Sequence, residues 1–122
     1  MLKLEELDVY RMAMEVGERV WAIADGWNFF AKDTVGKQLV RAADSIAANI
    51  AEGYGRYHYK ENKLFCYYAR GSLMETKTWL QKATHRGFIS AQDHDGIATE
   101  LDILHFKLNA YIKSIGHRPN DH

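Results

Sequence analysis

Cysteine occurs once in the 122 residues, at Cys66, and proline once, at Pro119. A lone thiol excludes an internal disulfide and a zinc site of the CxxC type. The near-absence of proline, with Ala, Leu, Glu and Lys spread along the chain, favours helices. No apolar run reaches the roughly 18 to 20 residues that a membrane span needs. The opening "MLKLEELDVYRM" has three acids by residue 8 and no apolar stretch before a cleavage site, so it does not read as a signal peptide. The expected protein is soluble, cytoplasmic and without membrane contact.

A surplus of one charge is also missing, since 16 basic residues face 16 acidic ones. The balance is uneven along the chain. Residues 1–33 carry four basic and seven acidic side chains, net −3. Residues 34–90 carry nine and four, net +5, and residues 91–122 carry three and five, net −2. Nucleic-acid binders are usually basic throughout. Only the middle of this chain can serve, and only if folding gathers it on one face.

Catalytic motifs are absent as well. Gly36-Lys37 has Ala31 where a phosphate-binding loop needs glycine. "GSLM" at 71–74 lacks the flanks of a nucleophile elbow. Di-metal bundles need Glu-x-x-His on two helices, and the nearest match, Asp102-x-x-His105, stands alone. His58, His85 and His94 share no spacing. Neither an enzyme, nor a metal, nor a cofactor is expected.

What the chain does have is helical periodicity. Val9, Ala13, Val16, Val20, Ile23 and Trp27 are spaced 4, 3, 4, 3, 4, one face of a helix over about residues 5–25. After "GWNFFAKD", Asp33 or Thr34 can cap a second helix. Its stripe is Val35, Leu39, Ala42, Ile46, Ile50 and Gly53, and Gly53 or Gly55 can close it in the left-handed conformation. A third helix starts near Tyr59 or Lys60, carries Cys66, Ala69, Leu73, Thr76, Leu80 and Ala83, and ends at Gly87. Ser90 and Asp93 have the spacing of a capping box before Ile97, Leu101, Leu104, Leu108, Tyr111 and Ile115, and Gly116 stops this last helix. Four helices with short links predict an all-α, antiparallel up-down-up-down four-helix bundle. It is expected as one domain over residues 1–116, with a flexible C-terminal tail at 117–122.

Some positions exceed what such a bundle can bury. Tyr10, Met14, Gly17, Trp21 and Ala24 form a second row on the first helix, and Leu64, Tyr68, Gly71, Glu75 and Trp79 another on the third. The second helix is small or apolar nearly all round, which is usual for a helix buried on several sides. Tyr10, Met14, Trp21, Tyr68, Gly71 and Trp79 are therefore candidate contacts in a homo-oligomer. The plainer alternative is a set of aromatic residues covering the bundle rim with their polar tips in water.

Polar residues also stand among small ones in "SIAANIAEGYGR", residues 45–56. An antiparallel hairpin turning near 56–59 sets opposite each other positions whose numbers sum to about 115. Arg41 then lies level with Glu75, Asp44 or Ser45 with Arg70, and Asn49 and Glu52 with residues 63–66. Arg41, Asp44, Asn49, Glu52, Arg70 and Glu75 are expected to form a structural polar network, since buried polar groups must be paired. Arg56 can bond the last carbonyls of its helix. In a sharper reading Arg41, Asn49, Glu52 and Arg56 bind something at the mouth or lumen of an oligomer. Finally, Lys60, Lys63, Tyr67, Arg70 and Lys77 recur along one side of the third helix. Cations seven residues apart sit about 10 Å apart, within reach of successive phosphates, with Tyr67 available for stacking. They are candidates for nucleic-acid contact, with Arg41 and Arg56 next in line. A solvated charged face is the alternative.

"KQLVRAADSIAANIAEGYGR" (37–56) followed by "FCYYARGSLMET" (65–76) resembles the 23S rRNA-intervening-sequence proteins. The matching positions are Gln38, Leu39, Arg41, Ala42, Ala43, Ser45, Ile46, Asn49, Ile50, Glu52, Gly53, Arg56, Phe65, Ala69, Gly71, Ser72, Leu73 and Glu75. "LDVYRMAMEV" and "GFIS" also fit. These proteins are named for the location of their genes and have no known reaction. They are similar in fold to the accessory variability determinant of diversity-generating retroelements, a pentameric barrel that works with a reverse transcriptase and nucleic acid. The resemblance implies an antiparallel four-helix bundle and a homopentamer. The retroelement proteins are strongly basic, whereas this chain is neutral. The expected role is contact with RNA or a ribonucleoprotein, or else a protein-interaction scaffold without nucleic acid.

Overall fold

In the computed structural model, which describes residues 2–116, four long helices account for most of the chain: α1 (Asp8–Asp25), α2 (Lys37–Tyr54), α3 (Tyr59–His85) and α4 (Ala91–Ser114). The tail expected at 117–122 lies outside the described residues. Each helix packs on the next, and α1 closes the ring against α4. Cross-helix pairs run in opposite directions: Lys77 meets Asp102 while Arg70 meets Asn109, and Arg19 meets Glu100 while Asp8 meets Lys107. Such pairing is antiparallel, as expected for helices joined by short turns.

The helical stripes are the core. Val9, Val16 and Val20 meet Leu39, Ile46, Ile50, Leu73, Leu80, Ile97, Leu101, Leu104 and Leu108, all buried. Each such side chain contributes about 1.5–3 kcal/mol on leaving water. Thr76 is the buried polar exception, and its hydroxyl donates to the Ser72 carbonyl at 2.7 Å, so it is satisfied.

The second helix starts earlier than its pattern suggests. Asn28, not Asp33 or Thr34, is the cap, and its side-chain oxygen accepts from the Ala31 N–H at 2.9 Å. A helical turn at Phe29–Ala31 runs through a π-helical turn, Lys32–Gly36, into α2 without a break. In the Phe29–Ala31 turn the buried residue is Ala31, while Phe29 and Phe30 face outward, so hydropathy gives no hint of this first turn. Trp27 packs on Gly36, where a Cβ would lie 3.3 Å from its ring, and tilts against Phe88 at 5.4 Å. That contact ties the α1–α2 link to the α3–α4 turn.

Helix ends differ in mechanism. Neither Gly53 nor Gly55 is left-handed, and Gly55 sits at φ −78°. Gly53 instead marks a close approach of α2 and α3, because a Cβ there would lie 2.8 Å from the Asn62 carbonyl oxygen and 3.0 Å from Phe65 Cβ. The left-handed residues are Gly87, at φ 84°, and Gly116, at φ 78°. Gly87 closes α3, with the Phe88 N–H donating to the Ala83 carbonyl at 2.9 Å. Ser90 caps α4 by accepting from the Asp93 N–H at 3.1 Å.

Candidate nucleic-acid interface

The cationic row of α3 lies along the seam with α4, and the seam divides it. Lys77 bonds Asp102 at 2.6 Å, and that bond, with the ammonium charge, holds the Asp102 carboxyl below its ordinary value. Arg70 donates to Asn109 Oδ1 at 2.9 Å and lies over the Tyr67 ring at 5.1 Å. Lys60 and Lys63 make no ion pair within the described chain. They stand at the start of α3 beside the turn that carries Tyr57, 89% exposed, and near the exposed rings of Tyr59 and Tyr67. Lys113, in the last turn of α4, belongs to the same end. Neither Tyr57 nor Tyr59 belongs to the predicted cationic row, although "RYHYK" alternates rings and cations.

The polar residues of α2 bond differently from the expected network. Asn49 donates to the Ser45 carbonyl of its own helix at 2.9 Å. Glu52 pairs with Arg56 at 2.6 Å, and Arg56 also reaches Glu61 at 3.5 Å and lies over the Phe65 ring at 4.7 Å. Arg41 and Glu75 are both exposed and do not pair, and Arg70 takes Asn109 in place of Asp44. The hairpin register holds, for Gly53 meets Asn62 at a sum of 115. A sum fixes height along the helices, not the side on which a residue stands. Arg41, Asp44 and Glu52 stand away from the α2 face that packs on α3.

Asp44 stands over Gly17, where a Cβ would be 2.8 Å from its Oδ1. Burial, and then the nearby Glu18 carboxylate, push its pKa above the ordinary value. Gly17 therefore serves contact inside the subunit, between α1 and α2.

The second faces divide as well. Tyr10 and Trp79 are half-buried and pack on their own core. Met14, Trp21 and Tyr68 stay exposed, and around Gly71 a Cβ would meet nothing within 4 Å. Beside them, Leu64 and Met74 of α3 and Ile103 and Phe106 of α4 also face outward, Phe106 at 77%. Ile103 and Phe106 stand off the core stripe of α4 at a spacing of three, which marks a second face on that helix. Cys66 is buried, and its thiol is pushed up to about 11, which makes it a poor nucleophile. Among the described residues, no group of three His, Cys, Asp or Glu is placed to hold a metal ion, and no helix is long and apolar enough to cross a membrane.

The family model for the 23S rRNA-intervening sequence protein matches residues 5–110, from the turn before α1 to the last turns of α4. The chain belongs to that family. A solved Bacteroides thetaiotaomicron structure, described as a protein of unknown function from the S23 ribosomal protein family, is similar with a TM-score of 0.77. It covers 87% of this chain and 99% of its own at 21% identity, so the likeness is one of fold. No curated protein matches the chain. The family carries no assigned reaction, and its four-helix fold is the one that the stripes predict.

Proposed function

We propose that this intervening-sequence protein is a non-catalytic, cytoplasmic homo-oligomer that contacts RNA through the end of the bundle at the α2–α3 turn. The observation that carries this reading is the pairing of free cations with exposed rings: Lys60 and Lys63 beside Tyr57, Tyr59 and Tyr67. Lysines track phosphates, and every base has a face that stacks on a tyrosine. Arg70 and Lys77 are engaged by α4, and Arg56 by Glu52 and Glu61, so they contribute less. A neutral chain has little long-range field, and oligomerisation supplies avidity by presenting several such ends together. Five copies are the expected number, from the resemblance stated above.

The test is titration of a structured RNA and a single strand at two salt concentrations. Phosphate contacts make affinity fall with salt. Lys60→Ala with Lys63→Ala weakens binding and flattens the salt slope, whereas Lys77→Ala leaves both nearly unchanged. Absence of binding by wild type at low salt removes the RNA reading. A protein-interaction scaffold then takes its place, a reading favoured by the outward Met74, Ile103 and Phe106.

A further inference from the structure

We propose that the concavity between the C-terminal half of α1, the π turn and the start of α2 is a nucleotide site, with a base laid on Trp21 and its phosphate held by Arg41 and Lys37. The site is separate from the end that carries Lys60 and lies at the opposite end of the bundle. It has a volume of about 330 Å³, within the range of small-ligand pockets. Its walls are mainly apolar, from Trp21, Ala24 and Val40, and its rim carries three cations, Lys32, Lys37 and Arg41, against one carboxylate, Asp25. An apolar slot with a few charges at one side suits a planar ring that bears an anion.

The ring wall is open. Trp21 is 55% exposed and among the described residues lacks the ring partner that Trp27 has in Phe88. The cations gather there because of the backbone. Residues five apart on an α-helix point about 140° apart. The Lys37 N–H reaches back to the Lys32 carbonyl, and this wider turn brings both lysines to one concavity. Trp27 wedged on Gly36 holds the turn in place.

Charge then selects the ligand. Among the described residues Arg41 has no ion pair, Lys37 meets Asp33 at 3.2 Å and Lys32 meets Asp25 at 3.7 Å, both in exposed pairs. Exposed pairs of this kind hold weakly, and a phosphate that takes charge-assisted bonds from Arg41 competes with them. Further along the same α1–α2 groove stand Glu18 and Asp44, which repel an anion. The phosphate is thereby confined to the Arg41 end.

The full chain is titrated with adenosine and uridine monophosphates, a short single-stranded RNA, inorganic phosphate and unphosphorylated adenosine, read by tryptophan emission and by calorimetry. Saturable quenching is expected with the nucleotides or with the strand. Response to free nucleotides identifies a mononucleotide ligand, and response to the strand alone identifies one nucleotide of a chain. Arg41→Gln, at an exposed position, weakens binding at least about tenfold, the loss expected when a charge-assisted bond is removed. Trp21→Phe removes most of the quench although Trp27 and Trp79 remain. Lys60→Ala with Lys63→Ala leaves this site unchanged, so failure here and failure of the RNA contact at the α2–α3 end are told apart. Equal binding of inorganic phosphate, equal binding of adenosine, or indifference to Arg41→Gln overturns the proposal. So does a Trp21 emission that shifts with protein concentration alone, because a second copy would then be the occupant.

Discussion

At the scale of single residues, facing and pairing have different physical causes. Apolar identity at a spacing of three or four determines facing, so Leu39, Ile46 and Leu73 were legible. A partner depends on rotation about the helix and on side-chain reach, which spacing along one helix does not contain. Arg70 takes Asn109 across the α3–α4 seam, a choice that belongs to α4. Asp44, which has no ion pair among the described residues, shows what a carboxylate does in such a position. Burial first and Glu18 second raise its folded pKa above the ordinary 3.8. As pH rises past that value, the unfolded chain releases its proton before the folded one does, so stability falls through the window up to the raised pKa. Asp44→Asn should therefore melt higher than wild type at pH 7, with the gap closing as pH falls toward 3.8. Thermal melts across that range check it, and a gap that widens in acid would assign the carboxylate a favourable partner.

At the scale of elements, two glycines in helices have opposite meanings. Gly53 lies where α2 and α3 nearly touch, with backbone in the way of a Cβ. Gly53→Ala must push the helices apart and should cost about 1–3 kcal/mol, as overpacking does, seen as a lower denaturation midpoint. Gly71 is exposed and open around its Cα, so Gly71→Ala should stabilise an isolated subunit by about 0.5–1 kcal/mol through helix propensity. If Gly71 instead sits at a contact between copies, the same change weakens assembly, and the two effects separate on comparing melts at high and low protein concentration. The four helices themselves were readable because each carries its own cap or stripe. The start of the second was not, since Asn28 precedes two outward phenylalanines that break the expected alternation.

At the scale of the molecule, the fold was written in the four stripes, whereas the candidate interface was only half written. Lys60 and Lys63 were visible as part of a row, but their isolation from Arg70 and Lys77 follows from Asp102 and Asn109 on another helix. The outward Phe106 and Ile103 make a bare monomer costly, because an exposed apolar patch favours association. Native mass spectrometry at low micromolar concentration should show an oligomer, and Phe106→Asp should shift it toward smaller species without unfolding the core. A monomer in the wild type would leave the outward rings to a different partner. The π turn has a consequence for inheritance as well as shape. A wide turn takes up a residue that the helix would otherwise have no room for, so Lys32–Gly36 is a place where chain length is absorbed. Deleting Thr34 would let a regular helix run through, with Lys32 and Lys37 four positions apart and about 40° from each other round the axis. Asn28 would stay at the helix start, Ala31 in the core, and Lys32 beside Lys37. One lost codon would thus be taken up by the turn, with the phase of the lead-in and the four long helices kept.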